Sequence, residues 1–243
     1  MEYDIFFSIS QTPDTDGHIP SEQQMLKNYF EQVKLADDLG FGVAWLAQAH
    51  LSTETQKLNK KPVVPHWQGE VGLCTDFPQL ALETFHRTKR IDIGSAVLSL
   101  LASGGPIAQA ERIANTVQLM GMSSTDRKLH VGFSAGRFEF MARPYGVIPR
   151  NEVEERSWPA LRGQIFMEAS EIFLRLLRGD RFNSDDVRAT TLTRANFRSD
   201  EDWMAVQDAA GGGDSVETER RYEFEDISIV PRNWPRSQLK LIA

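Results

Sequence analysis

The sequence predicts an α/β fold built on a parallel sheet. Three observations carry that prediction: short runs rich in Ile, Val, Leu and Phe recur along the chain, segments with apolar residues at helical spacing lie between them, and glycine or proline marks most of the junctions. A parallel sheet buries both of its faces, so its strands read as continuous apolar runs rather than as alternation.

The first run, Tyr3 to Ile9, fits such a strand. From about Ser21, residues Met25, Tyr29, Val33 and Ala36 recur at helical spacing, and Gly40 stands where a helix C-cap belongs. Val43 to Ala47 is a second strand. Residues 51–76 are polar, contain Pro62 and Pro65, keep no period and are expected as a long loop. Phe77 to Thr88 is a helix entered through Asp76 and Pro78, and it leads into a third strand, Ile91 to Leu98. Pro106 opens a helix with the face Ile107, Ala110, Ile113, Val117 and Met120, followed by a fourth strand, Leu129 to Phe133.

The next helix is expected to begin near Ser157, with Pro159 in its first turn, and to end at Gly179. Residues 180–219, polar and containing Gly211-Gly212-Gly213, read as a mobile insertion. Tyr222 to Val230 reads as a small extended excursion, and Leu239 to Ala243 as a fifth core strand. The expectation is one domain over 1–243, either an incomplete barrel or an open sheet, since an eightfold β/α barrel normally takes about 250 residues and here two long loops leave about five core strands.

Composition narrows the function classes. A net charge of -7 argues against a general affinity for nucleic acid or an anionic membrane, which calls for clustered Lys and Arg. The single cysteine, Cys74, can form no intrachain disulfide and has no neighbours at metal-ligand spacing, so no metal site is expected. No run of about 18 apolar residues is present and the first residues are acidic, which together fit a cytoplasmic protein.

Four segments in order resemble the bacterial-luciferase-like, flavin-dependent monooxygenases. They are Ala36-Asp37-Asp38-Leu39-Gly40-Phe41 with Val43-Ala44-Trp45-Leu46; Ile93-Gly94-Ser95-Ala96-Val97-Leu98 with Pro106, Ala110 and Glu111; Leu129 to Gly136; and Phe224-Glu225-Asp226 with Val230-Pro231 and Leu239 to Ala243. The resemblance implies a TIM-barrel-type (β/α)8 fold, here with its first five β/α units. It also implies reduced FMN, or the deazaflavin F420 as the alternative, lying across the carboxyl ends of the strands. The chain is expected to be a fragment or split product, a subunit completed by a partner chain, or a degenerate homologue. A homodimer through the early helices is a further expectation.

The same resemblance nominates site residues. Ser95, Ala96 and Val97 match the segment where the family has a non-proline cis peptide that supports the isoalloxazine ring. Ala135 and Gly136 follow the fourth strand, where small residues let backbone amides approach a ribityl chain or phosphate. Arg137 is either a bidentate phosphate ligand or a solvated surface arginine; some members carry the arginine where Ala135 stands. His50, three residues beyond the second strand, is the candidate catalytic group that titrates near neutrality. Here Gln48-Ala49-His50 replaces the Glu-His-His often found in luciferase-like enzymes, keeping only the last histidine.

Several other residues are set beside these. His18 and His66 lie in loops and read as surface residues; Trp45, Phe77 and Trp67 either line a substrate slot or pack the core; Glu152, Glu154 and Glu155 read as a solvated approach to a helix N-terminus. Three functions remain open: a flavin-dependent monooxygenase of a small organic substrate, fed by a flavin reductase; a non-catalytic flavin-binding or interaction homologue; or an unrelated barrel enzyme of phosphorylated metabolites with Gly132 to Gly136 as an anion cradle.

Overall fold

The computed structural model describes residues 3–58, 69–123 and 126–242, which group into two compact units. The first unit comprises Met1–Ser99, Arg112–Met141 and Asn233–Ala243; the second comprises Leu100–Glu111 and Ala142–Arg232. His66, Trp67, Pro62 and Pro65 fall outside the described residues.

The first unit is organised by a five-stranded parallel sheet in the order β1-β2-β3-β4-β7, with β1 Ile5–Phe7, β2 Val43–Leu46, β3 Asp92–Ser99, β4 Leu129–Ser134 and β7 Leu239–Ile242. These are the five core strands expected from the apolar runs. One register row reads Phe6, Trp45, Gly94, His130, Lys240 and the next reads Phe7, Leu46, Ser95, Val131, Leu241. Because side chains alternate along a strand, Ala44, Leu46, Ile93, Leu129 and Val131 share one face, and all five are fully buried. That face carries the core; the other carries Trp45, Gly94 and His130.

Helices α1, Glu22–Leu39, and α3, Phe77–Arg87, belong to the same unit and pack on each other. The hydroxyl of Ser21 caps α1 by accepting from the Gln24 amide, and Gly40 closes it in the left-handed conformation that glycine adopts without a Cβ clash. Asp76 caps α3 in the same manner, with Pro78 in its first turn. The Asp37 carboxylate at the end of α1 accepts from three successive amides, Lys89 at 2.7 Å and Arg90 and Ile91 at 2.8 Å each, which ties this helix to the entry of β3.

Two expectations for the long loop and the later helix are corrected. Residues 51–76 contain a short helix, α2, Thr53–Leu58, because the Glu70 carboxylate accepts from the Thr53 and Glu54 amides and from the hydroxyls of Ser52 and Thr53, supplying the cap that local sequence lacks. Helix α5 runs Glu152–Arg178, starting before Ser157. Asn151 is its cap, accepting from the Glu154 amide, while the Ser157 hydroxyl bonds back to the Val153 carbonyl as a mid-helix serine does. Pro159 therefore lies inside the helix. Glu154 is buried rather than solvated, paired with Arg221 at 3.0 Å.

In the second unit the segment expected to be a mobile insertion is ordered. An antiparallel pair, β5 Thr191–Thr193 and β6 Ser215–Glu217, is joined through α6, Asp200–Ala210, and buries Leu192, Val206 and Val216. Gly211 takes the left-handed C-cap of α6, so the triple glycine is in part a helix stop. The segment after Tyr222 contributes one isolated antiparallel bridge, Phe182 to Ile227. Helix α4 is Gly105–Gly121, with its residues to Glu111 counted in the second unit and those from Arg112 in the first, and no helix among the described residues is long and apolar enough to cross a membrane.

Candidate flavin site at the strand ends

The nominated residues lie at the carboxyl ends of β3 and β4, two strands paired in parallel, with Ser99 of one opposite Ser134 of the other. The pairing register shifts between Ser95 and Leu98, and the Ala96–Val97 peptide bond in that stretch is cis, a non-proline bond at the position where the family resemblance places one. Ser95 is fully buried and its hydroxyl donates to the Gly132 carbonyl at 2.7 Å, so it holds β3 to β4. Val97 stands 42% exposed, an aliphatic side chain open to solvent between the buried Ser95 and Leu98.

Gly132 and Gly136 owe their identity to close packing. A Cβ on Gly132 would lie 2.9 Å from the Ser95 carbonyl oxygen, and one on Gly136 would lie 2.5 Å from the Ser99 hydroxyl. Gly136 also holds φ at +83°, a region that costs other residues about 1–2 kcal/mol. Its N–H donates to the Ser134 hydroxyl at 3.1 Å, so this amide is already engaged within the protein. Ala135 beside it is partly exposed.

Arg137 is exposed, and its guanidinium sits 5.4 Å from the centre of the Phe138 ring. It forms no ion pair among the described residues. Phe138 in turn stacks on Phe140, with ring centres 5.6 Å apart and planes 19° from parallel. Both rings are partly exposed. This aromatic pair was not singled out from the sequence, although its i, i+2 spacing directly after a strand end was visible there.

His50 is buried, 5% exposed, beyond the end of β2. Burial first, and then the positive charge of Arg112, hold its pKa below the ordinary histidine value, while Asp76 works in the opposite direction. Burial and Arg112 thus favour the neutral imidazole of His50. Ala49 next to it is buried, and a Cβ on Gly72 would lie 2.8 Å from the Ala49 Cβ, so position 72 is kept to glycine.

The remaining nominees have structural places. Phe77 is fully buried in the core. The Trp45 indole N–H donates to Asp4 at 2.9 Å, and its ring meets His130 edge-on at 5.6 Å. His18 is exposed on a turn where the Asp14 carboxylate accepts its amide. Cys74 is buried, with its thiol pushed up to about 12 by burial and by Asp76, and so is inert as a nucleophile near neutrality. Among the described residues no group of three His, Cys, Asp or Glu could hold a metal ion.

The residues present fit a flavin at two points. Ala96 and Val97 offer a small, apolar, solvent-facing surface for a ring, and Arg137 offers an unneutralised guanidinium for a phosphate.

Among solved structures, the chain is similar to the monooxygenase RslO1 from Streptomyces bottropensis, with a TM-score of 0.51 and 15% identity over 99% of this chain and 52% of that one. It is also similar to the oxygenating constituent of 3,6-diketocamphane monooxygenase, a type II Baeyer–Villiger monooxygenase from the CAM plasmid of Pseudomonas putida in complex with FMN. That likeness has a TM-score of 0.51 and 12% identity over 99% of this chain and 51% of that one.

The chain has the luciferase-like fold.

It spans about half the length of the two solved structures it matches. No protein-family model matches it, and no curated protein does. The five parallel strands, β1 to β4 and β7, are thus the strands of a partial luciferase-like barrel.

Proposed function

We propose that this chain forms the flavin-ring side of a flavin-dependent monooxygenase that oxidises a small organic substrate with reduced flavin and oxygen. The observation that carries the proposal is the exposure of Val97: an aliphatic side chain faces solvent near the end of a core strand whose other residues are mostly buried, with small Ala96 before it and Gly132 close beside it. An apolar, flat surface at that end of a parallel strand is what a ring system needs.

FMN is the preferred cofactor, in line with the FMN bound by the diketocamphane enzyme, and F420 is the alternative. Ala96 and Val97 would support the ring, Ser95 would hold that segment in place, and Arg137, with Ala135 and Gly136, would lie toward the phosphate. When bound, reduced flavin supplies the oxygen-activating chemistry, and a reductase supplies the reduced flavin. The chain's own contribution is placement and, at His50, a neutral imidazole for proton transfer. The test is oxygen-dependent oxidation of reduced FMN by the purified protein, expected above the protein-free rate and lowered in His50→Gln.

A second reading, a flavin-binding homologue without turnover, is favoured by Gln48 and Ala49, which stand where the acid and the first histidine of the family's Glu-His-His are often found. Flavin binding with no acceleration of oxidation selects it. A partner chain belongs to the proposal as well. Strands β1 and β7 are the sheet edges and expose Phe6, Leu241 and Ile242, which suits a second copy or a chain that adds strands. Light scattering from a well-behaved monomer would count against both.

A further inference from the structure

A cavity of about 1000 Å³ in the second unit has no place in the flavin proposal and is built from that unit alone. Its wall is α5 on one side and the strand β5 with its approach on the other. Its volume falls at the upper end of the range of small-molecule sites.

The lining has two characters. Met167 and Leu174, one above the other at i, i+7 on α5, are 62% and 39% exposed and give the cavity an apolar strip. The other side is lined by Arg188, Thr191, Thr193 and Asn196, with the Thr193 hydroxyl donating to the Asn196 side-chain oxygen at 3.3 Å.

The charges in the wall are mostly spent. Arg178 is held by Asp180, and Arg175 pairs with Glu171 at 3.4 Å and donates to the Asp186 carbonyl. The Glu168 carboxylate accepts from the amides of Arg221 and Tyr222, and burial keeps it toward its neutral form. The second Glu171 oxygen accepts from the Arg188 amide. The Arg188 guanidinium has no carboxylate partner among the described residues, so it is the cation left for a ligand.

An exposed apolar strip and one unneutralised guanidinium in the same cavity complement a molecule of the same two characters. We propose that this cavity binds a small amphipathic carboxylate, its apolar body along Met167 and Leu174 and its carboxylate on Arg188. A guanidinium recognises a carboxylate through two parallel N–H donors, which a neutral alcohol cannot match, and the apolar strip offers a tail contacts that a short acid cannot make.

The test is isothermal titration of the whole chain with octanoate, 1-octanol and acetate as probes, with Arg188→Gln and Met167→Glu as variants. Octanoate is expected to bind one to one, at least tenfold tighter than octanol or acetate. Arg188→Gln should weaken octanoate at least tenfold without weakening octanol, and Met167→Glu should abolish binding. Both positions are exposed, and far-ultraviolet circular dichroism of each variant is expected to match the parent. Equal octanoate affinity in the parent and Arg188→Gln, equal affinity for octanol and octanoate, or binding of several equivalents would each overturn the proposal. The outcome is independent of flavin binding, since no nominated flavin residue lines this cavity.

Discussion

The indole of Trp45 fills the space that a side chain on Gly94 would occupy. A Cβ there would lie 2.4 Å from the nearest ring carbon, and the two residues are register partners on adjacent strands. The ring is tied at its other end to the Asp4 carboxylate, which accepts its indole N–H at 2.9 Å. Gly94→Ala is therefore expected to destabilise the fold by about 1–3 kcal/mol, the usual range for forcing extra volume into packed structure. Chemical denaturation measures it. A loss within about 0.5 kcal/mol, the range of an inert surface change, would mean that Trp45 moves freely.

Gly136→Ala faces both a left-handed backbone and the Ser99 hydroxyl. The combined cost is expected to exceed the 1–2 kcal/mol of the backbone conformation alone. Adding Ser99→Ala should recover part of it, because the hydroxyl is the nearer obstacle; a strictly additive double variant would show that the two residues do not meet.

How much of this was legible in the sequence depends on the range of the interactions. The five parallel strands and the helix boundaries at Asp76, Gly40 and Gly179 follow from local chemistry, and the sequence pattern located them, while Ser21, the expected helix start, proves to be its cap. The start of α5 was misplaced because Ser157 and Pro159 imitate a helix entry, whereas Asn151 supplies it. The helix at Thr53–Leu58 depends on Glu70, well along the chain, and the order in residues 180–219 depends on burial of Leu192, Val206 and Val216, none of which leaves a periodic signal. At the site, the resemblance nominated Ser95 to Val97 and Gly136, but the packing reasons for Gly132 and Gly136 required knowing what stands opposite. The Phe138 and Phe140 pair was passed over because adjacent aromatics carry no mark of function by themselves.

Asp37 predicts an acid-side weakness. Burial works to raise its pKa, but the amides of Lys89, Ile91 and Arg90 outweigh it, and the carboxyl titrates below its usual value. Since the folded value is the lower one, the stabilisation is complete above the unfolded carboxyl pKa and is lost as the pH falls through the folded value. At pH 7, Asp37→Asn is expected to cost about 1.5–3 kcal/mol, the range for hydrogen bonds to a charged group. In Asp37→Asn the decline in stability below about pH 4 should be shallower than in the parent. An unchanged slope would contradict this assignment.

His50 acts in a different window. Its folded pKa lies below the histidine value, so above about pH 6.5 both states are neutral there and no penalty arises. As the pH falls below that value the unfolded chain takes up a proton that the folded chain resists, and stability declines. Urea midpoints between pH 7.5 and 5.5 should fall more steeply in the parent than in His50→Gln. Equal slopes would mean that His50 is free to ionise in the folded protein.

The central claim is that the end of β3, with Arg137 after β4, holds a flavin. Its most direct test is equilibrium titration of the purified chain with FMN, followed by flavin fluorescence, alongside Val97→Asp and Arg137→Ala. One equivalent of FMN is expected to bind, with each variant weakened about tenfold, corresponding to about 1.4 kcal/mol. A folded parent protein that binds neither FMN nor F420, or variants that bind FMN as the parent does, would contradict it.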